Sequence, residues 1–331
     1  MLRIGLNPYG LTYTLGLQGA GTPRANPKPG GLPGFLAIAD EIGVRSLELD
    51  AGMLASLDGA AVAALRDRLH AGDITPVVSA GLPTAGDAIA LARHLGASTV
   101  RLGLTPVLCG DRAVLGPAWD QLVADVRRSL ASAARLAAQH GVTLAIEDHQ
   151  DFTHAELIEL CETCGPGVGI CLDTANPLSV AEEPLAFAQA VAPYLRHVHL
   201  KDYLVQWTDE GYRLIRCPVG DGAIPFAALA SALRVNDPAV ELTASIEIGA
   251  LAARHIRLLT AAWWQGYAEQ PARNLAAALS AARVRRLPED AEWRTPWELQ
   301  MDGMALVEYE MSQVRRSAAN LHAMGWLPPQ K

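Results

Sequence analysis

Short runs of aliphatic and β-branched residues alternate along the chain with longer segments rich in alanine and leucine. Eight runs predict strands: Arg3 to Leu6, Val44 to Leu49, Thr75 to Ser79, Thr99 to Leu104, Val142 to Glu147, Val168 to Asp173, His197 to Leu200 and Leu242 to Glu247. The segments between them are long enough for helices, and Asp120 to His140 carries apolar residues at three- and four-residue spacing. This alternation predicts a parallel sheet whose strands are joined by helices.

Eight strand–helix units favour an α/β fold of the (β/α)8 TIM barrel type with a C-terminal helical extension. A doubly wound sheet is less consistent with the chain, because no GxGxxG turn follows the first strand. We assign residues 1–264 to the barrel, with an eighth helix from about Leu251 to Trp264, and residues 265–331 to the extension. The amphipathic segment Met304 to Met324 predicts a helix that packs on the barrel or on a partner subunit.

Two connections are longer than is usual between strands and helices. Gly16 to Gly34 holds four prolines and six glycines, and Tyr203 to Asp221 follows the seventh strand. Both are candidate active-site lids.

Composition and charge exclude several classes of protein. Half of the 331 residues are hydrophobic and the formal net charge is -8, so the chain lacks the basic balance that favours nucleic-acid binding. Without an apolar stretch of about 18 residues or a signal-peptide pattern, we expect a cytoplasmic protein with no membrane partner. Cys161 and Cys164 form a CxxC that no second pair completes as a zinc site, so we expect the five cysteines to be free thiols.

Candidate chemistry lies where the predicted strands end, because barrels of this type place functional groups at that rim. Glu147, Asp173, His199 and Glu247 end four consecutive strands, and the first three follow one another at intervals of 26 residues. Three carboxylates and one imidazole suit Mn²⁺ or Mg²⁺, and Zn²⁺ or Co²⁺ less well. The alternative is that such residues only cap the following helices. Four of them at one rim make this alternative less favoured.

Two histidines close to these residues have open roles. His197 shares a face of its strand with His199, so spacing alone does not choose the ligand, and we favour His197 as a packed neighbour of the site or a substrate contact. His149 lies two residues beyond Glu147, where it is either a proton carrier or a loop histidine bonded to the backbone.

Other polar and aromatic residues are weaker candidates. Lys201 and Asp202 follow the seventh strand and could contact substrate hydroxyl groups, while Glu48 and Asp50 end the second strand and could line the pocket. The tryptophans of the last third of the chain either form a platform for a sugar ring or, as we favour, simply pack: Trp263, Trp264, Trp293 and Trp297.

Four segments together carry a resemblance to a known family. They are Ile146-Glu147-Asp148-His149-Gln150-Asp151-Phe152, Leu172-Asp173-Thr174-Ala175-Asn176, His197-Val198-His199-Leu200-Lys201-Asp202-Tyr203 and Ile246-Glu247. With them, residues 1–260 resemble the xylose-isomerase-like barrels of the sugar phosphate isomerase/epimerase family, which also has a DNA endonuclease branch. The resemblance implies a metal held by Glu147, Asp173, His199 and Glu247, with the two glutamates as proton acceptor and donor in epimerases.

The chain departs from the epimerases at one position and resembles a lyase-type branch elsewhere. Asn176 stands where epimerases often have histidine, and the acidic chain with nine histidines does not suit the zinc cluster of the endonucleases. Glu147-Asp148-His149, the Arg216 to Gly222 loop and the long tail resemble the branch of C-glycoside deglycosidase catalytic subunits and oxo-sugar-acid decarboxylases.

This resemblance implies a metal-dependent enzyme that abstracts a proton next to the carbonyl of a keto-sugar. The first hypothesis is a lyase, a 3-oxo-C-glycoside deglycosidase or an oxo-sugar-acid decarboxylase, with His149 as base and with Asn176 among the substrate contacts. The alternatives are a sugar isomerase or 3-epimerase that uses Glu147 and Glu247, and a non-catalytic sugar-binding barrel subunit. We expect a small carbohydrate as substrate, and either a homo-oligomer or a small partner subunit.

Overall fold

A closed barrel of eight parallel strands forms the centre of the molecule within the part of the chain that the computed structural model describes, residues 2–233 and 241–328. The barrel strands are β1 (Leu2–Leu6), β2 (Ser46–Asp50), β3 (Thr75–Gly81), β4 (Thr99–Gly103), β5 (Thr143–Glu147), β6 (Val168–Asp173), β7 (Leu195–Leu200) and β10 (Leu242–Ile246). Their order around the barrel is β1-β10-β7-β6-β5-β4-β3-β2. The predicted TIM barrel is confirmed, and the strand bounds differ from the predicted ones by at most two residues.

Helices surround the barrel and cover its outer face. They are α1 (Thr12–Leu15), α2 (Gly31–Ile42), α3 (Ala51–Leu54), α4 (Gly59–Ala71), α5 (Ala85–Leu95), α6 (Ala118–Gln139), α7 (His154–Cys164), α8 (Pro184–Val191), α9 (Phe226–Ala232), α10 (Ala272–Ala281) and α11 (Gly303–Ala323). The strands are buried on both faces, as they are in parallel sheets, which explains why their sequences are continuous apolar runs. In the described residues, no helix is long and apolar enough to cross a membrane.

A small antiparallel sheet replaces the predicted loop after the seventh strand. Strands β8 (Asp202–Thr208) and β9 (Gly211–Cys217) form a hairpin, and β11 (Arg254–Ile256) pairs with β9 on its other side. The segment Tyr203 to Asp221 is therefore mostly regular structure, and its role as an active-site lid stays a prediction.

The predicted eighth helix from Leu251 to Trp264 is wrong. This segment contains β11 and one short 3-10 turn, Ala261–Trp264. Ile256 and Leu258 are buried in alternation with more exposed neighbours, which is the period of a strand, and β9 supplies the backbone groups that β11 pairs with. The pairing partner lies some forty residues earlier, so a tertiary contact overrides the local helical spacing.

The predicted C-terminal helix is present as α11. It forms hydrogen bonds to two segments at the rim of the barrel, one at residues 13–14 and one at Val219. The buried carboxylate of Glu310 accepts hydrogen bonds from the backbone N–H groups of Tyr13 and Thr14 at 3.1 and 2.8 Å. Farther along α11, Ser317 Oγ accepts a bond from the N–H of Val219 at 2.9 Å. The helix thus packs on its own barrel.

The proposed division at residue 264 stays a prediction, and residues 1, 234–240 and 329–331 of the two predicted domains lie outside the described residues. The predicted lid Gly16 to Gly34 follows α1 and extends into the first turn of α2, which begins at Gly31. Within it, Arg24 donates a hydrogen bond to the carbonyl of Trp297 at 2.9 Å and stacks on the Trp297 ring. This segment therefore contacts the C-terminal extension.

Candidate metal and substrate site

The carboxyl ends of β5, β6, β7 and β10 bring the four predicted ligands together. One potential ligand atom from each of Glu147, Asp173, His199 and Glu247 lies within 4.8 Å of the others. All four side chains are buried at the closed rim of the barrel, with Glu247 the most exposed at 8%. The arrangement follows from the parallel strands, whose carboxyl ends meet at one rim.

The His199 ring is held from both of its nitrogens. Nδ1 lies 3.1 Å from Oε1 of Glu147 and 3.0 Å from Oε2 of Glu247, so it points into the carboxylate cluster. Nε2 lies 2.7 Å from Oε2 of Glu48 on β2. Asn7 also donates a hydrogen bond to Glu247 at 2.8 Å. A carboxylate behind an imidazole fixes the orientation of the ring, as it commonly does behind histidine ligands of metals.

Arg101 is a candidate site residue that the sequence analysis missed. Its guanidinium group lies 3.0 Å from Oε1 of Glu48 and 3.3 Å from Oε2 of Glu147, and its side chain is buried. Burial acts to raise the pKa of Glu48, but the charges of His199 and Arg101 hold that pKa well below its usual value. An arginine inside the apolar strand β4 was the signal that could have found it, because a buried charge requires a partner.

Lys201 is the second cation of the site. Its ammonium group contacts Asp173 and lies 2.8 Å from Oε1 of Glu247. Burial raises the pKa of Asp173 to about 6, although the charge of Lys201 acts against this shift. Lys201 is predicted as a substrate contact, and in the structure it lies between two predicted metal ligands and also lines the cavity described below.

The charges of this cluster suit a divalent cation. Four carboxylates (Glu48, Glu147, Asp173, Glu247) surround two permanent cations (Arg101, Lys201), which leaves an excess of two negative charges once His199 has given up its proton to act as a metal ligand. Carboxylate oxygens and one imidazole are donors suited to Mg²⁺ or Mn²⁺. The residues present therefore fit a divalent metal ion.

A cavity of about 550 Å³ opens directly above the cluster. We call it the site cavity; its polar lining is Tyr9, Arg101, Thr105, Glu147, His149, Gln150, Lys201, Arg216, Glu247 and Arg254. The His149 side chain faces this space and is partly exposed. Burial lowers the pKa of His149, although the nearby charge of Glu147 acts to raise it. Among the described residues no group is hydrogen-bonded to its imidazole.

Three other predicted substrate contacts lie beside or below the site cavity and do not line it. His197 is fully buried and bonds Glu48 at 2.9 Å and Thr243 at 2.6 Å. Asp202, the first residue of β8, is buried and accepts backbone N–H bonds, one of them from Gly222 at 2.8 Å. Asn176 is also buried.

The Asn176 amide connects two loops of the rim. It donates to the carbonyl of Asp148 at 3.0 Å, and its oxygen accepts a bond from the Tyr203 hydroxyl at 3.3 Å. Asp148 in turn accepts the backbone N–H of Asp173, and burial together with the charge of Asp173 raises its pKa well above the usual value. These residues therefore support the strand ends that carry the site.

The tryptophans and cysteines lie outside the site cavity. Trp263 is buried, stacks on Tyr267 with ring centroids 4.7 Å apart and donates to the carbonyl of Cys109. All five cysteines are free, as predicted. Burial raises the pKa of Cys161 to about 12, which makes its thiol unreactive.

Comparisons with known proteins agree with the fold. A sequence model of the family described as xylose isomerase-like TIM barrel matches residues 36–262. An uncharacterized protein of Escherichia coli K12, YihM, is 28% identical over 144 residues, which are 43% of this chain and 41% of that protein. A 3-oxo-isoapionate decarboxylase of Pectobacterium atrosepticum is 24% identical over 142 residues, which are 41% of this chain and 45% of that protein. The chain thus spans less than half the length of these curated relatives.

Solved structures give the same result for the whole chain. A D-psicose 3-epimerase crystal structure superposes with a TM-score of 0.57 at 14% identity and covers 97% of this chain and 98% of the epimerase. A xylose isomerase-like TIM barrel protein from Mycobacterium smegmatis, in complex with magnesium, has a TM-score of 0.54 at 17% identity. That match covers 85% of this chain and 97% of the other. At these identities the likeness shows the fold.

Proposed function

Because the chain belongs to the xylose isomerase-like TIM barrel family, we propose that it is a divalent-metal-dependent enzyme that removes a proton next to the carbonyl of a keto-sugar. One observation carries the proposal. The cluster of Glu147, Asp173, His199 and Glu247 opens into a cavity in which the His149 imidazole makes no hydrogen bond to any described residue. A cation site and a proton acceptor thus face the same space.

Glu147, Asp173, His199 and Glu247 would hold the ion, which we propose to be Mn²⁺ or Mg²⁺, with Zn²⁺ or Co²⁺ less suited. When bound there, a divalent ion would supply polarisation of a carbonyl and a neighbouring hydroxyl group, which would make the adjacent C–H bond more acidic. The magnesium complex of the similar barrel from Mycobacterium smegmatis supports a hard cation. Arg101 and Lys201 orient the carboxylates and balance part of their charge.

His149 is the base in the proposed lyase reaction. Its imidazole takes the proton from the carbon next to the ketone, a double bond forms to the following carbon, and the bond from that carbon to the leaving group breaks. The proton then returns from His149 to the leaving group, so the step needs no further reactant. In an oxo-sugar acid, loss of CO₂ from the carbon next to the ketone would give the same enolate. The similarity to a 3-oxo-isoapionate decarboxylase supports this branch.

His149 suits this role better than the glutamates do. Oxygen atoms of Glu147 contact Arg101 and His199, and those of Glu247 contact Lys201, Asn7 and His199. Carboxylates held in this way are weak acceptors for a carbon-bound proton, whereas the His149 imidazole is free to accept one.

A second candidate is a sugar 3-epimerase. In that reaction Glu147 and Glu247 would act from opposite faces of the substrate, one removing and the other returning the proton. The superposition on D-psicose 3-epimerase over nearly the whole chain favours it. His149 would then only bind substrate.

Proton exchange followed by NMR separates these candidates. Purified protein would be analysed for metal and then incubated with Mn²⁺ in D₂O with 3-oxo-glycosides, oxo-sugar acids and free ketoses. Release of the leaving group or of CO₂ indicates the lyase, and deuterium uptake with inversion at carbon indicates the epimerase. His149→Ala abolishes the lyase but only weakens the epimerase, and His94→Ala, which removes an exposed histidine on α5, is the matched control. Activity that survives Asp173→Ala would contradict the metal site.

A further inference from the structure

Two arginines of the small antiparallel sheet, Arg216 and Arg254, line the site cavity. Arg254 of β11 pairs with Leu214 of β9, and Arg216 lies two residues farther along β9. Residues that are directly opposite or two positions apart lie on the same face of a sheet. Arg216 and Arg254 therefore share the face that lines the cavity.

These two guanidinium groups lack carboxylate partners, unlike the other two cations of the cavity. Arg101 pairs with two glutamates and Lys201 with an aspartate and a glutamate. Within residues 2–233 and 241–328, no carboxylate lies at ion-pair distance from Arg216 or Arg254. A large part of their hydrogen-bonding capacity is therefore unused by the protein.

The hydrogen bonds of Arg216 and Arg254 also show that several of their N–H donors have no acceptor among the described residues. A guanidinium group has five N–H donors. Arg216 uses one of them toward the carbonyl of Ala252 at 3.0 Å, and Nε of Arg254 is buried without a partner in the described residues. Only 5% of Arg216 is exposed, so its remaining donors can be met only by water or a ligand inside the site cavity. Burying adjacent like charges with unsatisfied donors is unfavourable unless an anion binds between them.

We propose that Arg216 and Arg254 form a clamp for the carboxylate of the substrate, which makes the substrate a keto-sugar acid. The planar forks of two arginines match the geometry of a carboxylate, which accepts hydrogen bonds on both oxygens. The carbonyl end of the same molecule would face Glu147 and Glu247, while its acid end lies under the small sheet. This inference rests on the proposed function and specifies its substrate class.

The test compares two ketoses that differ only at one end. D-fructuronate and D-fructose carry the same keto group, and D-fructuronate has a carboxylate where D-fructose has a hydroxymethyl group. Their dissociation constants would be measured by calorimetry on the Mn²⁺-loaded protein and on Arg216→Gln, Arg254→Gln and the double variant. We expect the native protein to bind D-fructuronate at least 10-fold more tightly, and each variant to lose about 10-fold to 100-fold of affinity for the acid only.

Arg213→Gln is the matched control. Arg213 lies on β9 but on the opposite face, where it bonds Gln206 and stacks on Trp293. Its loss leaves the preference for the acid unchanged. Arg216→Lys keeps the positive charge but lacks the planar guanidinium group, so it is expected to retain part of the preference for D-fructuronate. This conservative variant separates loss of the clamp from failure to fold.

Three results would overturn the clamp. These are equal affinity for the two sugars, a preference that survives in the double variant, and tighter binding of D-fructose 6-phosphate than of D-fructuronate, which would assign the pair to a phosphate. Failure of the proposed function is a separate outcome. In that case the preference for the acid persists, but no substrate exchanges its proton in D₂O.

Discussion

Oε2 of Glu48 lies 2.7 Å from Nε2 of His199, on the side of the imidazole that faces away from Glu147 and Glu247. The ring is therefore oriented before any ion binds, with Nδ1 directed toward the carboxylates. Glu48 acts through His199 and does not line the site cavity, so we regard it as a positioning residue.

Glu48→Gln is expected to weaken Mn²⁺ binding about 10-fold to 100-fold, because the orienting charge behind His199 is lost. Metal titration by calorimetry or by electron paramagnetic resonance measures the effect. Asp50→Asn, two residues farther along the chain, is the control, since Asp50 bonds Tyr9 and has no contact with His199. Unchanged metal affinity in Glu48→Gln would contradict the positioning role.

Metal addition is expected to stabilise the folded protein. If the ion binds only the native state, Mn²⁺ at 100 times its dissociation constant raises the free energy of unfolding by about 2.7 kcal/mol. Thermal denaturation with and without EDTA measures this difference. In Asp173→Ala the same addition should have little effect, and an undiminished metal-dependent shift would place the ion elsewhere.

Glu310→Ala is expected to lower the free energy of unfolding by about 2–4 kcal/mol. The substitution removes the acceptor of the Tyr13 and Thr14 backbone N–H groups and of the Thr14 hydroxyl group, which are buried or partly buried. Denaturant unfolding measures the loss. Glu308→Ala removes an exposed carboxylate from the same helix and should change stability by less than about 0.5 kcal/mol. If the two substitutions lowered the free energy of unfolding equally, the hydrogen bonds of Glu310 would not stabilise the packing of α11 on the barrel.

His154 is expected to make part of the stability depend on pH. Its hydrogen bond to Glu182 at 2.5 Å raises the pKa of His154 above 6.5, although partial burial acts to lower it. The folded state therefore binds this proton more tightly than the unfolded state does. The resulting stabilisation is complete below about pH 6.5 and disappears as the pH rises through the folded-state pKa.

Thermal denaturation at pH 6 and pH 9 tests this dependence. His154→Gln should lower the melting temperature more at pH 6 than at pH 9, while His94→Gln should show no such difference. If His154→Gln lowered the melting temperature equally at both pH values, the charge of His154 would not contribute to stability.

Particular residues show why the fold could be predicted better than the site. The barrel strands are buried on both faces and their ends share one rim, so the apolar runs alone indicated where Glu147, Asp173, His199 and Glu247 meet. The contacts of Arg101 were not visible, because its partner Glu48 lies 53 residues earlier and neither residue belongs to a local pattern. Which polar residues line a cavity depends on such distant contacts.

The segment after β10 illustrates the same limit for secondary structure. Leu251 to Trp264 has apolar residues that suit either a helix or a strand, and the backbone of β9 decides between them. Arg254 reaches the site cavity only because this pairing occurs. If this segment were a helix, it would not pair with β9, and Arg254 would not be placed beside Arg216 in the site cavity.

The bonds between Glu310 and the turn at residues 12–14 join groups separated by 296 to 298 positions along the chain. A ribosome that adds about 5–20 residues per second needs about 15–60 s to make the intervening length. During that time residues 12–14 of α1 have been synthesised, but the acceptor that Glu310 provides for them is missing. The rim of the barrel is therefore incomplete at this place. This part of the barrel rim can therefore be completed only after α11 has been synthesised.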